Sequence, residues 1–203
     1  AALLMKLPLS AWRALWPKAC FVGCSSAGEI LNDRINEQRL ALTVVSFDRS
    51  QIAFARAEQA GGDDGTACGA ELASALPQEG LRHVFMLCDG LACNPSALLK
   101  SLAEHLPAEV VVTGGIAADD LNFTRPLIVA NALPDKACAA AVGFYGKTLN
   151  IGFSAMNGWN CFGPERQITR INGNTLYELD GGKAFELYER YLGELASSLP
   201  ASA

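Results

Sequence analysis

Histidine is nearly missing from this chain. Only His83 and His105 occur in 203 residues, so any reaction that needs an imidazole base or a histidine metal ligand has two candidates. Positive charge is also short: 16 Lys and Arg stand against 21 Asp and Glu, a formal net charge of -5. Without Lys and Arg in excess on one face there is no electrostatic footprint for a polyanion, and nucleic acid is not an expected partner. No apolar run approaches the ~20 residues that cross a bilayer, so no membrane span is expected. The opening AALLMKLPLSAWRALW carries Lys6, Pro8 and Arg13 and has neither the charged front nor the unbroken apolar centre of a secretion signal. It reads as the tail of a helix that begins upstream, in a fragment of a longer, cytoplasmic protein.

What is present suits a packed domain. Half of the residues are hydrophobic, 18% are charged and 19 are glycine, a mixture that can bury a core. The seven cysteines are an odd number in a chain too long to need staples. Cys20, Cys88 and Cys138 sit in apolar runs, where reduced thiols behave as small hydrophobes. The pairs Cys20/Cys24 and Cys88/Cys93 neither repeat as a knuckle nor precede a histidine at ligand spacing, so no metal site is expected.

Apolar periodicity predicts strands at Cys20–Cys24, Leu40–Phe47, Gln51–Ala57, His83–Cys88, Glu109–Thr113, Leu127–Ala130, Ala139–Tyr145, Leu149–Ala155 and Gln167–Ile171. Three helices are marked. Asn94-Pro95 supplies a cap and a first-turn ring, after which Leu98, Leu99, Leu102 and Leu106 recur on one face. A second runs from Thr66 to Leu76 and stops at Pro77; a third follows Asp180-Gly-Gly, presents Phe185, Tyr188 and Leu192, and ends at Gly193. The middle alternates strand and helix, which implies parallel pairing through helical crossovers. From Leu127 onward strands follow one another as in an antiparallel meander. The expected fold is mixed α/β, with a twisted sheet or sheets of parallel and antiparallel strands and flanking helices. The turn-rich NGWNCFGP at 157–164 is a joint at which a second unit could begin, dividing the chain into 1–162 and 163–203.

Three apolar strands end in polar turns that carry glycine: CFVGCSSAGEI at 20–30, VFMLCDGLACNP at 84–95 and VVVTGGIAADD at 110–120. In parallel α/β layers the carboxyl ends of strands share one edge, and ligands bind along such edges. Gly23, Gly28, Gly90, Gly114 and Gly115 permit close backbone approach and could present N–H groups to a carboxylate. Cys24 lies among them; Ser25, Ser26, Asn94 and Thr113 offer neutral hydrogen bonds, and Glu29, Asp89, Asp119 and Asp120 could receive an ammonium. Each is equally explained singly, as a turn residue or, for Asn94, as a helix cap. The pocket reading depends on their convergence.

Two motif fragments fail. Gly146-Lys147-Thr148 lacks the first glycine of a phosphate loop, whose position is Ala141, and a strand-like segment follows it, so it reads as a hairpin turn. GCSSAGE misses a nucleophile elbow by one residue. Nothing in the sequence ties either histidine to Cys24, Ser25 or Ser26, so a thiol- or serine-dependent hydrolase stays an alternative to a non-catalytic binding module. Trp12, Trp16 and Trp159 are expected in a core.

Taken in order, GCSSAGEI, LACNPSALLKSL, VVVTGGIAADD and GWNCFGPERQITRINGNTLYELDGGKAFELYERYLG resemble the FIST sensory domain of F-box and intracellular signal transduction proteins, from about Ala11 to Gly193. The resemblance makes residues 1–162 an amino-terminal FIST-like region lacking its upstream start, and 163–203 the truncated beginning of a carboxy-terminal one. It implies a bacterial-type cytoplasmic sensor that binds a small polar metabolite, an amino acid being suggested, and modulates a partner such as a histidine kinase or diguanylate cyclase. It also implies a haem-based nitric oxide sensor as an alternative, for which His83, His105 and the cysteines are the axial candidates. No cofactor is otherwise expected.

Overall fold

The computed structural model describes residues 3–58, 64–120, 122–134, 137–156, 158, 160–173 and 175–198. It divides into two compact units, Ala1–Phe153 and Ser154–Ala203. In chain order the first holds a 3-10 turn (Leu4–Lys6), then α1 (Leu9–Leu15), β1 (Val22–Cys24), β2 (Glu29–Leu31), β3 (Arg34–Asn36), β4 (Gln51–Glu58), α2 (Thr66–Ala75), β5 (Leu81–Asp89), α3 (Pro95–Glu104), β6 (Val111–Ala117), β7 (Ile128–Ala130) and β8 (Ala137–Tyr145).

The main sheet has the order β4-β8-β5-β6. β5 and β6 pair in parallel across the α3 crossover, whereas β8 lies antiparallel to both β4 and β5. β4 and β5 therefore run the same way, with α2 as their crossover and β8 inserted between them. The sheet is mixed, as expected, but the meander expected from Leu127 onward does not form: β7 pairs with β1, and β8 enters between β4 and β5.

Side chains alternate across this sheet, so each strand contributes to two faces. Ala55, Ala57, Val84, Met86, Cys88, Ala139 and Ala141 pack against Leu72 of α2 and Leu98 and Leu102 of α3. On the opposite face Leu87, Ala117 and Ala140 meet Ile128 and Ala130 of β7, which pairs antiparallel with β1. The alanines of β8 are small enough to be covered on both faces. α2 and α3 meet closely because Gly69 has no side chain: a Cβ there would run into the Leu98 carbonyl and lie 2.8 Å from the Leu102 amide nitrogen. Asn94 caps α3 by accepting from the Ser96 and Ala97 amides at 3.0 and 3.4 Å, and Pro95 fills the first turn.

Several expectations are corrected. Leu40–Phe47 alternates like a strand but has no partner edge among the described residues, and Leu40, Leu42, Val44 and Val45 are exposed. Alternation supplies faces; hydrogen bonds need a neighbour. Leu149–Ala155 is likewise not a strand: Leu149 closes a turn onto the Gly146 carbonyl, and ladder pairing does not follow. Leu99 turns away from the apolar face of α3 and is 42% exposed, while Leu98 and Leu102 are fully buried. Trp16 is 54% exposed and Trp12 is half-buried against Phe21, their rings 6.1 Å apart. Trp159 lies outside the described residues. The short hairpin of β2 and β3, turned by left-handed Asn32, was not apparent from the sequence pattern.

The second unit contains the antiparallel β9 (Ile168–Asn172), β10 (Thr175–Leu179) and β11 (Gly182–Lys183), followed by α4 (Ala184–Leu192). Asp180 ties the turn after β10: its carboxylate accepts from the Gln167 amide at 2.8 Å and from Arg166 at 3.0 Å. Phe185 and Tyr188 of α4 are about half exposed. Among the described residues no helix is long and apolar enough to cross a membrane.

Candidate ligand-binding site

The first polar turn is held by Ser25. Its amide donates to the Leu127 carbonyl at 2.9 Å, its hydroxyl oxygen accepts from the Leu127 amide at 2.8 Å, and its carbonyl accepts from the Ala118 amide at 3.0 Å. One buried residue thus ties the end of β1 to the approach to β7 and to the chain just past β6. Asp89 lies opposite Ala117 in the β5–β6 register. The ends of β1 and β5 therefore both reach the end of β6, although β1 belongs to a different sheet.

The turn after β6 is organised around one carboxylate. Asp119 accepts from the amides of Phe123 (3.0 Å), Thr124 (2.9 Å) and Arg125 (2.7 Å) and from the Thr124 hydroxyl at 3.1 Å. These donors, the Arg125 amide foremost, hold its carboxyl below the ordinary carboxylate range. Asp120 and Phe123 adopt left-handed backbone conformations that curl the loop around it. Glu29 is similarly engaged, accepting from the Ser26 hydroxyl at 3.0 Å and from the Arg39 amide at 3.3 Å.

A cavity of about 1510 Å³ opens between these turns and the uncovered part of the sheet. Gly23, Cys24, Ser25, Ser26, Gly28, Glu29 and Asp119 line it, joined by Asp120, Asn122, Thr124 and Arg125. The rest of the wall is mostly apolar. Ile52, Phe85, Val142 and Phe144 supply the sheet side, Trp12, Trp16 and Phe21 another, and the unpaired segment 37–47 a third. Sequence reasoning missed this apolar wall and Arg125. The signal was there in alternation: Val142 and Phe144 share the sheet face opposite the helices, and nothing in the predicted helix set could cover both faces.

The remaining six candidates do not line the cavity. The Asp89 carboxylate accepts from the Leu91 and Ala92 amides, and Asn94 caps α3. Thr113 shares a 2.8 Å hydrogen bond with His83 Nε2. Gly114 permits close strand contact: its φ is +150°, and a Cβ would collide with the Met86 carbonyl of β5. A Cβ on Gly90 would lie 2.8 Å from Ile116 Cγ2, and Gly115 faces open space.

Neither histidine lines the cavity. His83 is buried between Thr113 and the rings of Phe144 and Phe153, and burial lowers its pKa. His105 is exposed, with Nδ1 2.7 Å from the Ser101 carbonyl. Cys20, Cys24, Cys88, Cys138 and Cys161 are free thiols. Cys20 and Cys24 line the cavity, and burial raises both thiols. Deeper in the core, Cys68 and Cys138 sulfurs lie 3.0 Å apart, while hydrogen bonding to Cys93 and burial hold Cys88 and Cys138 well above the usual thiol range. Among the described residues no cluster of His, Cys, Asp and Glu is arranged to hold a metal ion.

The geometry defines a mixed α/β domain with a large cavity beside interlocked strand ends. Residues 4–182 match the family model of the FIST N domain. The chain belongs to the FIST family, whose domain is a sensory domain of signalling proteins. No curated protein matches the sequence.

Proposed function

We propose that the first unit binds a small molecule in the cavity and that occupancy changes how a signalling partner, such as a histidine kinase or diguanylate cyclase, is engaged. The cavity carries this reading: hydroxyls, carboxylates and the cationic residues Lys18, Arg39 and Arg125 border it along with a largely apolar wall, the usual make-up of a small-molecule site. The polar side suits the carboxylate of a metabolite such as an amino acid.

The role is binding without catalysis. Ser25 uses its hydroxyl oxygen to accept from Leu127, Ser26 donates to Glu29, and the raised Cys24 thiol has no histidine beside it at the wall. Haem fits poorly for the same reason, since both histidines lie off the cavity and the thiols at its wall favour the neutral form. The free thiols of Cys20, Cys24 and Cys161 suit a cytoplasmic location.

A thermal-shift screen of purified protein against amino acids, organic acids and amphiphiles tests the proposal. A ligand present at 100 times its Kd adds about 2.7 kcal/mol, enough to raise the melting temperature by several degrees. No shift with any class of compound overturns the proposal, and a Soret band after haem reconstitution overturns its haem-free form.

A further inference from the structure

We infer that the ligand is a long-chain amphiphile: a carboxylate held at Arg125 with an extended apolar body lying along the sheet. The inference rests on the cavity being the ligand site and names the class of ligand that fills it.

Size is the first argument. Pockets for drug-sized ligands span roughly 300–1,000 Å³. At about 1510 Å³ this cavity leaves most of its wall untouched by a free amino acid. That wall is apolar: Ile52, Phe85, Val142 and Phe144 come from the sheet, and Leu40 and Leu42 from the unpaired segment that also borders the cavity. Leu42 is 60% exposed and Leu40 45%. An apolar body in the cavity removes this surface from water, at roughly 25 cal/mol per Å² of apolar area covered, whereas a small polar metabolite covers little of it.

The sign of the head group follows from which polar atoms are already engaged. Four carboxylates line the cavity, and two of them are engaged within the protein: Glu29 accepts from Ser26 and Arg39, and Asp119 from four donors, which leaves Glu37 and Asp120. Three cationic residues, Lys18, Arg39 and Arg125, line the same cavity and take part in no ion pair among the described residues, so unengaged positive charge exceeds unengaged negative charge at the wall. The Arg125 backbone is fixed by the 2.7 Å bond from its amide to Asp119. Arg presents a planar fork of donors that matches a carboxylate.

Calorimetric titration of the whole chain with dodecanoate, decanoate, dodecanol and leucine, all below micellar concentrations, tests the inference. Dodecanoate is expected to bind saturably at one per chain and decanoate about tenfold more weakly, close to the loss for two methylenes. R125Q is expected to weaken dodecanoate about tenfold and leave dodecanol unchanged, because only the head group has lost its partner. L42D is expected to weaken dodecanoate and dodecanol alike while the unliganded protein keeps its melting temperature. Affinity that ignores chain length, or leucine binding as tightly as dodecanoate, overturns the inference and leaves the sensing proposal standing. If no amphiphile binds and the thermal-shift screen is also blank, both fall together.

Discussion

Replacing Ser25 with alanine probes the joint on which the polar side of the cavity depends. Ser25 is 4% exposed and Leu127 7% exposed, and the Leu127 amide donates to the Ser25 hydroxyl oxygen at 2.8 Å. The substitution removes one oxygen and leaves that buried N–H without an acceptor, a loss of about 1–3 kcal/mol. The void left is smaller than a methyl group and adds little, so about 2 kcal/mol is expected in total. The two backbone bonds of residue 25, to Leu127 and from Ala118, survive the change and keep β1 in place. Urea unfolding should show a lower midpoint at unchanged m, and the melting temperature should fall by about 4–8 °C. Ser26→Ala is the matched control: the Ser26 hydroxyl is only half-buried and donates to Glu29, so its loss should remain well under 1 kcal/mol. Equal stability of S25A and the parent, or a larger loss in S26A than in S25A, would refute this account of the joint.

Two further predictions address the core and the loop after β6. Gly69→Ala places a methyl group against the Leu98 carbonyl and 2.8 Å from both the Leu102 nitrogen and Ser101 Cβ, so α2 and α3 must separate; about 1–3 kcal/mol of overpacking is expected in urea unfolding. Asp119 has its pKa depressed in the folded state, so its bonds stabilise fully above the ordinary carboxylate pKa of about 3.9, and that contribution is lost as pH falls through the lower folded value. Asp119→Asn should therefore melt below the parent at pH 7, with the gap narrowing as pH falls below about 4; a gap independent of pH would show that the charged form of Asp119 gains nothing from its donors.

The helices were legible because their signals are local. Asn94-Pro95 writes a cap and first turn into two adjacent residues, and α3 begins there. Pro77 and Gly193 likewise place the ends of α2 and α4 within a residue or two. Pairing is different in kind. Leu40–Phe47 alternates as well as Gln51–Ala57 does, yet only the latter finds an edge, beside β8. Within the candidate site, the turns after β1 and β6 were visible as glycine-bearing polar ends of apolar strands. Asp89 and Asn94 gave the same signal, and their side chains serve local amides off the cavity.

The sequence by itself determined the mixed strand and helix content, the helix caps and the scarcity of histidine, since each depends on residue type or on neighbours a few positions away. Tertiary structure decided that β8 enters between β4 and β5, that Ser25 meets Leu127 across 102 positions of chain, and that Val142 and Phe144 face a cavity. Contacts between distant segments depend on which sheet edges and faces are already covered. That is a property of the assembled fold, and no local pattern encodes it.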